Sequence, residues 1–149
     1  MLVFAAASLK ERDTRRAMSR ENVEVVRRWM DALNRADLEA ASEYIDPGAE
    51  VDWSRSRGVE AGIYRGDEAV RKFWRTFFDV FDEFTVTPEE FIELGDHVVV
   101  PNRTRMCGRD GIEVHARSAV VHTVRHGRIV EWTLYQEKAE ALEAAGPSE

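Results

Sequence analysis

A single cysteine, Cys107, stands among 149 residues, which excludes an internal disulfide and any Cys-based zinc pattern. The histidines are few as well. His97, His115, His122 and His126 include no pair at convincing metal-ligand spacing, so neither a metal nor a cofactor is expected. No apolar run approaches the about 20 residues needed to cross a membrane. Basic charge is in deficit, with 21 Lys and Arg against 28 Asp and Glu and a net charge of -7, which argues against a general nucleic-acid binder. The apolar opening, Met1 to Ser8, has no positive segment before it and runs at once into Lys10-Glu11-Arg12-Asp13, so it reads poorly as a signal peptide. These absences together lead us to expect a cytoplasmic protein whose partners are small molecules or proteins.

What is present is the composition of a folded globule: 44% hydrophobic and 33% charged residues, with four Trp, seven Phe and three Tyr. The length suits one domain. Residues 1–17 show no periodicity linked to later segments and are read as a loosely attached extension. The domain is expected over 18–146, with 147–149 as a tail.

Along the domain, Val23, Val26, Trp29, Met30 and Leu33 recur at helical spacing after a cap-like Ser19-Arg20-Glu21-Asn22. Asp37 can cap a shorter helix with Leu38, Ala41, Tyr44 and Ile45 inward, stopping before Pro47-Gly48. Glu50 to Trp53 reads as a strand and Gly58 to Gly66 as a loop. A helix from Asp67 to about Phe81 carries Val70, Phe73, Trp74, Phe77 and Phe78 on one stripe. Four strands follow, Glu83 to Leu94, Val98 to Met106, Ile112 to Val124 and Arg128 to Glu137, separated by Gly95-Asp96, Gly108 to Gly111 and Arg125-His126-Gly127. Lys138 to Ala145 makes a last helical turn or two. Helices gathered before an antiparallel meander give an α+β pattern.

That order resembles the SnoaL-like polyketide cyclases and the wider nuclear transport factor 2-like superfamily of ketosteroid isomerases, limonene-epoxide hydrolases and scytalone dehydratases. The resemblance rests on Ala32-Leu33-Asn34-x-x-Asp37-Leu38, Gly62-x-Tyr64-x-Gly66, His126-Gly127-Arg128-Ile129 and Trp132-x-x-Tyr135-x-Glu137 with Ala141-Leu142-x-x-x-Gly146. It implies a cone-shaped, mainly antiparallel sheet wrapped on N-terminal helices (a cystatin-like roll), one apolar pocket, and a homodimer through the outer sheet face. The face alternation of Ile112 to Val124 agrees with such a dimer: Val114, Ala116, Val120 and Val124 occupy one side and Ala119, Val121 and Thr123 the other, so both sides need cover.

The same resemblance tests the chemistry. The isomerases' Tyr, base and second acid fall at Trp29, Trp53 and near Val120, where no group can accept or hold the proton. The epoxide hydrolases' Arg-x-Asp is replaced by Arg103-Thr104-Arg105, and Arg stays protonated. The cyclases' acid position falls at Glu137, either an acid/base group or a solvated carboxylate before the closing helix. His122 shares a strand face with Val120 and Val124. It is either a ligand-orienting or basic imidazole or a hydrogen-bonded core residue.

Trp53, Tyr64, Trp132 and Tyr135 are candidate walls for a ligand, with the core as the alternative; Trp74 and Phe77 are assigned to the core. Arg55 and Arg57 sit in a loop expected at the pocket mouth. The register of Arg103 and Arg105 against Asn102 and Thr104 is left open. Two functions follow. One is a domain that binds a hydrophobic polyketide-, terpenoid- or steroid-like molecule; the alternative is an acid/base enzyme (cyclase, isomerase or epoxide hydrolase-like) using Glu137 and His122.

Overall fold

In the computed structural model, which describes residues 20–58 and 60–146, those residues form four helices and seven strands. The expected extension at 1–17 and tail at 147–149 lie outside the described residues. The helices are α1 (20–34), α2 (Leu38–Ser42), α3 (Asp67–Val80) and α4 (Lys138–Ala145). The strands are β1 (Ile45–Asp52), β2 (Ile63–Arg65), β3 (Phe81–Pro88), β4 (Ile92–Leu94), β5 (His97–Gly108), β6 (Glu113–Arg125) and β7 (Arg128–Tyr135).

The strands make one sheet in the order β2-β1-β7-β6-β5-β3, with β4 also on β5. All neighbours are antiparallel except β1 and β7, which run parallel. This is the curved, mainly antiparallel α+β sheet that the resemblance implied. It curves where pairing slips, at bulges between Thr123 and Val124 and between Phe81 and Glu83. The β6–β7 hairpin closes on His126 and Gly127, both at positive φ, as a two-residue turn requires.

Three local expectations change. The second helix ends at Ser42, and Ile45 opens β1 opposite Ile129 instead of extending the helix. Pro47-Gly48 therefore lies inside a strand. The β1–β7 register shifts between Ile45 and Glu50, so the missing proline N–H falls in the irregular stretch and costs no ladder bond. The expected loop from Gly58 to Gly66 contains β2, which pairs Ile63 to Arg65 with Asp52 to Glu50. The expected strand Glu83 to Leu94 is two strands. β3 pairs with Asn102 to Gly108 and β4 with His97 to Val99, so β5 changes partner where the chain breaks at Glu89 to Phe91.

The core has two parts. Val26, Trp29, Met30 and Leu33 of α1 and Val70, Phe73, Trp74 and Phe77 of α3 pack on the concave face, against Val98, Val100, Val120, Trp132 and Leu134. On the convex face, Val99, Ala119 and Val121 are buried beneath Ala141 and Ala145 of α4. The apolar row that called for a second copy is thus covered, at these positions, by the chain's own last helix.

Beyond α4 the convex face is charged. Arg105 reaches Glu83 at 2.7 Å, and Arg117 reaches Glu89 at 2.9 Å. This fixes the register left open by sequence. Arg103 and Arg105 point outward, while Asn102 and Thr104 face the helices.

Candidate functional site

Between α1, α3 and the concave sheet lies a cavity of about 310 Å³. Its position follows from the residue pattern. Even-numbered residues of β5 and β6 point inward, and the helices' aromatic stripes close over them without filling the space.

One wall is indole. Trp29 from α1, Trp53 after β1, Trp74 from α3 and Trp132 from β7 all border the cavity. Trp74 sits at their centre, with ring centroids 5.0 Å from Trp29, 5.6 Å from Trp53 and 5.7 Å from Trp132. The edge-on packing suits the ring quadrupoles. The indole nitrogens of Trp74 and Trp132 are buried with no hydrogen-bond partner among the described residues. An interior N–H left unpaired costs about 1–3 kcal/mol.

The polar groups come from β5 and β6. His122 is buried, and its Nδ1–H donates to the Val98 carbonyl at 3.2 Å. That bond fixes the tautomer, leaving the lone pair on Nε2. Burial lowers its pKa to about 4, outweighing the upward pull of the Val98 and Val120 carbonyls, so the ring is neutral at pH 7. His122 is also the register partner of Trp132, which places the two side chains next to each other on one sheet face.

Farther along β5 and β6, Asn102 is buried. Its amide donates to Val100 O at 3.1 Å and accepts from Ser118 Oγ at 3.3 Å. Thr104 joins it from the same strand. No Asp or Glu is among the described residues that border the cavity. Arg57 and Arg117 are its cationic neighbours, both exposed.

The sequence candidates therefore separate. His122, Trp53 and Trp132 border the cavity together; Glu137, Tyr64, Arg55 and Tyr135 do not. Glu137 is exposed at the N-cap of α4 and makes no side-chain capping bond. Tyr64 packs behind Phe73, with centroids 4.8 Å apart, and its hydroxyl donates to the Glu60 carbonyl at 3.0 Å. Burial, then the Glu60 carboxylate, pushes its phenol above the ordinary pKa. Arg55 stacks over the Tyr135 ring at 4.6 Å, and its carbonyl accepts from Gln136 Nε2 at 2.6 Å. Those contacts pin the 53–58 loop to the end of β7. Asp52 helps hold the loop's first turn. Burial would raise its pKa, but bonds from Ser54 and the charge of Arg55 outweigh this and lower it.

Sequence reasoning assigned Trp74 and Phe77 to the core, and both border the cavity, because a helical stripe reads as core whether or not a void lies beneath it. It also gave Asn102 no definite place, although the alternation of Asn102 and Thr104 with Arg103 and Arg105 carried the signal. Among the described residues no three His, Cys, Asp or Glu side chains converge as metal ligands, and no helix is long and apolar enough to cross a membrane.

The sequence matches the model of the SnoaL-like domain over residues 26–132. The chain belongs to the SnoaL-like domain family. Solved structures of similar fold agree. An NTF2-like protein of unknown function from Burkholderia pseudomallei is 25% identical over 85% of this chain and 98% of its own, with a TM-score of 0.67. TerC co-crystallised with polyporic acid is 21% identical over 83% of this chain and 96% of its own, at 0.67. A Mycobacterium tuberculosis protein in complex with estradiol-17beta-hemisuccinate is 17% identical over 80% of this SnoaL-like chain and 95% of its own, at 0.68. No curated protein matches the chain.

Proposed function

We propose that this SnoaL-like domain binds a hydrophobic small molecule of polyketide, terpenoid or steroid type between α1, α3 and the concave face of the sheet. The observation that carries the reading is the lining itself. Four indoles and aliphatic side chains enclose the space, the buried imidazole is held neutral, and no carboxylate borders it among the described residues. Such a surface gains by excluding water and offers few groups for proton transfer. Relatives of this fold solved with estradiol-17beta-hemisuccinate and with polyporic acid add support.

The acid/base alternative asks Glu137 and His122 to meet one substrate. Glu137 is exposed and outside the cavity lining, and an imidazole with a pKa of about 4 is a weak base. Binding is therefore the stronger reading, with His122 accepting a ligand hydroxyl at Nε2.

A homodimer through the outer sheet face belongs to the same proposal, and sedimentation showing a 17.1 kDa species alone at micromolar concentration would remove it.

Native mass spectrometry of the purified protein, followed by calorimetric titration with a steroid, terpenoid and polycyclic polyketide panel, tests the ligand claim. Ala116→Trp fills the space from the β6 side and should abolish binding while the circular dichroism spectrum stays unchanged. Binding that is absent across the panel, or untouched by Ala116→Trp, overturns the proposal.

A further inference from the structure

The concave face of the sheet carries two hydrogen-bonding stations with valine between them. Across the β5–β6 ladder His122 stands opposite Val98 and Ser118 opposite Asn102, while Val100 and Val120, both buried, face each other in the middle. Four residues along each strand separate the stations, a rise of about 13 Å. His122, Val120, Ser118 and Asn102 all border the cavity.

The station at Asn102 has a defined polarity. The Val100 carbonyl can only accept, so the amide nitrogen is the atom that meets it at 3.1 Å, and Oδ1 points away. Oδ1 receives the hydroxyls of Thr104 at 3.4 Å and Ser118 at 3.3 Å. With their hydrogens turned to Asn102, both hydroxyl oxygens keep their lone pairs for other partners. Thr104 and Ser118 are only partly buried and line the cavity, so those lone pairs are within reach of a ligand there. Asn102 itself is 3% exposed and retains a second N–H with no partner among the described residues. Both bonds to Oδ1 are long for O–H···O contacts, so a ligand competes for these groups at little cost.

We infer that Asn102, Thr104 and Ser118 hold a ligand hydroxyl, and that the ligand is a rigid apolar body with a hydroxyl at each end, the other one meeting His122. This deepens the binding reading above and rests on it. A hydroxyl both donates and accepts, so it can give its hydrogen to Ser118 or Thr104 and take the spare N–H of Asn102. A carbonyl oxygen can use the N–H alone. A carboxylate would bury its charge among neutral groups, because the cationic neighbours Arg57 and Arg117 are exposed. An ammonium group finds no carboxylate among the described residues that border the cavity. At the other station, His122 Nε2 has no protein partner, and it is not closed off as the Trp74 and Trp132 nitrogens are. With a hydrogen bond of about 2.8 Å at each end, set obliquely to the strands, the two ligand oxygens lie about 10 Å apart. The valines between the stations face the apolar body.

The test uses the full-length protein and two probes titrated by calorimetry: 4,4′-dihydroxybiphenyl, whose oxygens have that spacing, and 4-hydroxy-4′-methylbiphenyl, in which one hydroxyl becomes a methyl of similar size. Apolar burial alone ranks the methyl compound first. A second hydroxyl station should instead make the diol bind about fivefold tighter. The combined variant Asn102→Leu, Thr104→Val, Ser118→Ala makes the whole station apolar without stranding one member of it, and should bring the ratio to one or below. In the unmutated protein, the diol should shift the Asn102 side-chain amide and the His122 Nε2 ¹⁵N signals together; this readout needs no variant to fold.

A diol that binds no tighter than the methyl compound, or that leaves the Asn102 amide signals in place, overturns the station and leaves the apolar pocket standing. A preference for the diol that survives in the combined variant overturns it as well. Neither probe binding up to its solubility limit overturns the station together with the reading on which it rests.

Discussion

Asn34 completes the free edge of β3 with its side chain: Nδ2 donates to the Val86 carbonyl at 2.8 Å, and Oδ1 accepts from the Val86 N–H at 2.8 Å. The amide thus imitates a further strand residue at the end of α1. Both backbone groups of Val86 on that side are satisfied, and the exposed edge is blunted against other strands. The same tie fixes the end of α1 to β3, both of which contribute cavity wall through Leu33 and Val86. Asn34→Ala removes both bonds. Because the site is exposed, the expected loss is about 1 kcal/mol, a fall of roughly 2–4 °C in melting temperature. Calorimetry reads this directly, and an unchanged transition would mean that water replaces the amide without cost.

His122 makes stability depend on pH in a defined window. Its pKa is about 4 when folded and about 6.5 when unfolded. Between those values the unfolded chain binds a proton that the folded chain refuses, so stability is complete above pH 6.5 and drains as pH falls toward 4. From pH 7 to pH 5 the loss attributable to this group is about 2 kcal/mol. Urea denaturation of the wild type and His122→Gln at both pH values separates it from other titrations. The variant should lose less by about that amount, and an equal loss in both would show that the imidazole is solvated.

The limits of the sequence as a guide are visible in particular residues. Periodicity located α1 and α3 because each buries a stripe at helical spacing. It misplaced Ile45, since an apolar residue following Ala41 and Tyr44 fits a helix until the parallel pairing with β7 is known. Pro47 looked like a stop signal for the same reason. At the site, alternation put His122 and Val120 on one face, and the structure has both bordering the cavity. Tyr64, Tyr135 and Glu137 were drawn from motif positions, and motif spacing says nothing about which way a strand-end side chain turns. Whether an aromatic stripe fills its core or roofs a void depends on the distance between layers, which no single segment encodes. Trp74 shows this most clearly.

The helix α4 covers Val99, Ala119 and Val121 on the convex face. Ala141 is fully buried against this patch, so Ala141→Arg must either bury a charge or lift the helix. The expected cost is about 2–4 kcal/mol. The uncovered valines should also drive self-association, seen as a mass that rises with concentration in sedimentation and disappears on restoring alanine. A variant that stays as stable as the wild type would show that α4 contributes no cover.

Glu137 and Trp53 divide the surface from the cavity. Glu137 occupies the N-cap of α4 in an extended conformation and makes no capping bond, the position where a short hydroxyl side chain works better than a longer carboxylate. Glu137→Ser should therefore raise stability by about 0.5–1 kcal/mol, and Glu137→Gln should leave ligand affinity within about twofold. Trp53 borders the cavity and packs edge-on against Phe73 and Trp74. Trp53→Ala removes a wall and should weaken binding at least about tenfold, the loss expected when a large aromatic contact surface is deleted. Measured with one ligand, the two variants give opposite answers if the cavity is the site. If Glu137→Gln abolishes turnover or binding while Trp53→Ala leaves both intact, the ligand sits instead at the end of β7 beside α4, and the acid/base reading replaces the binding one.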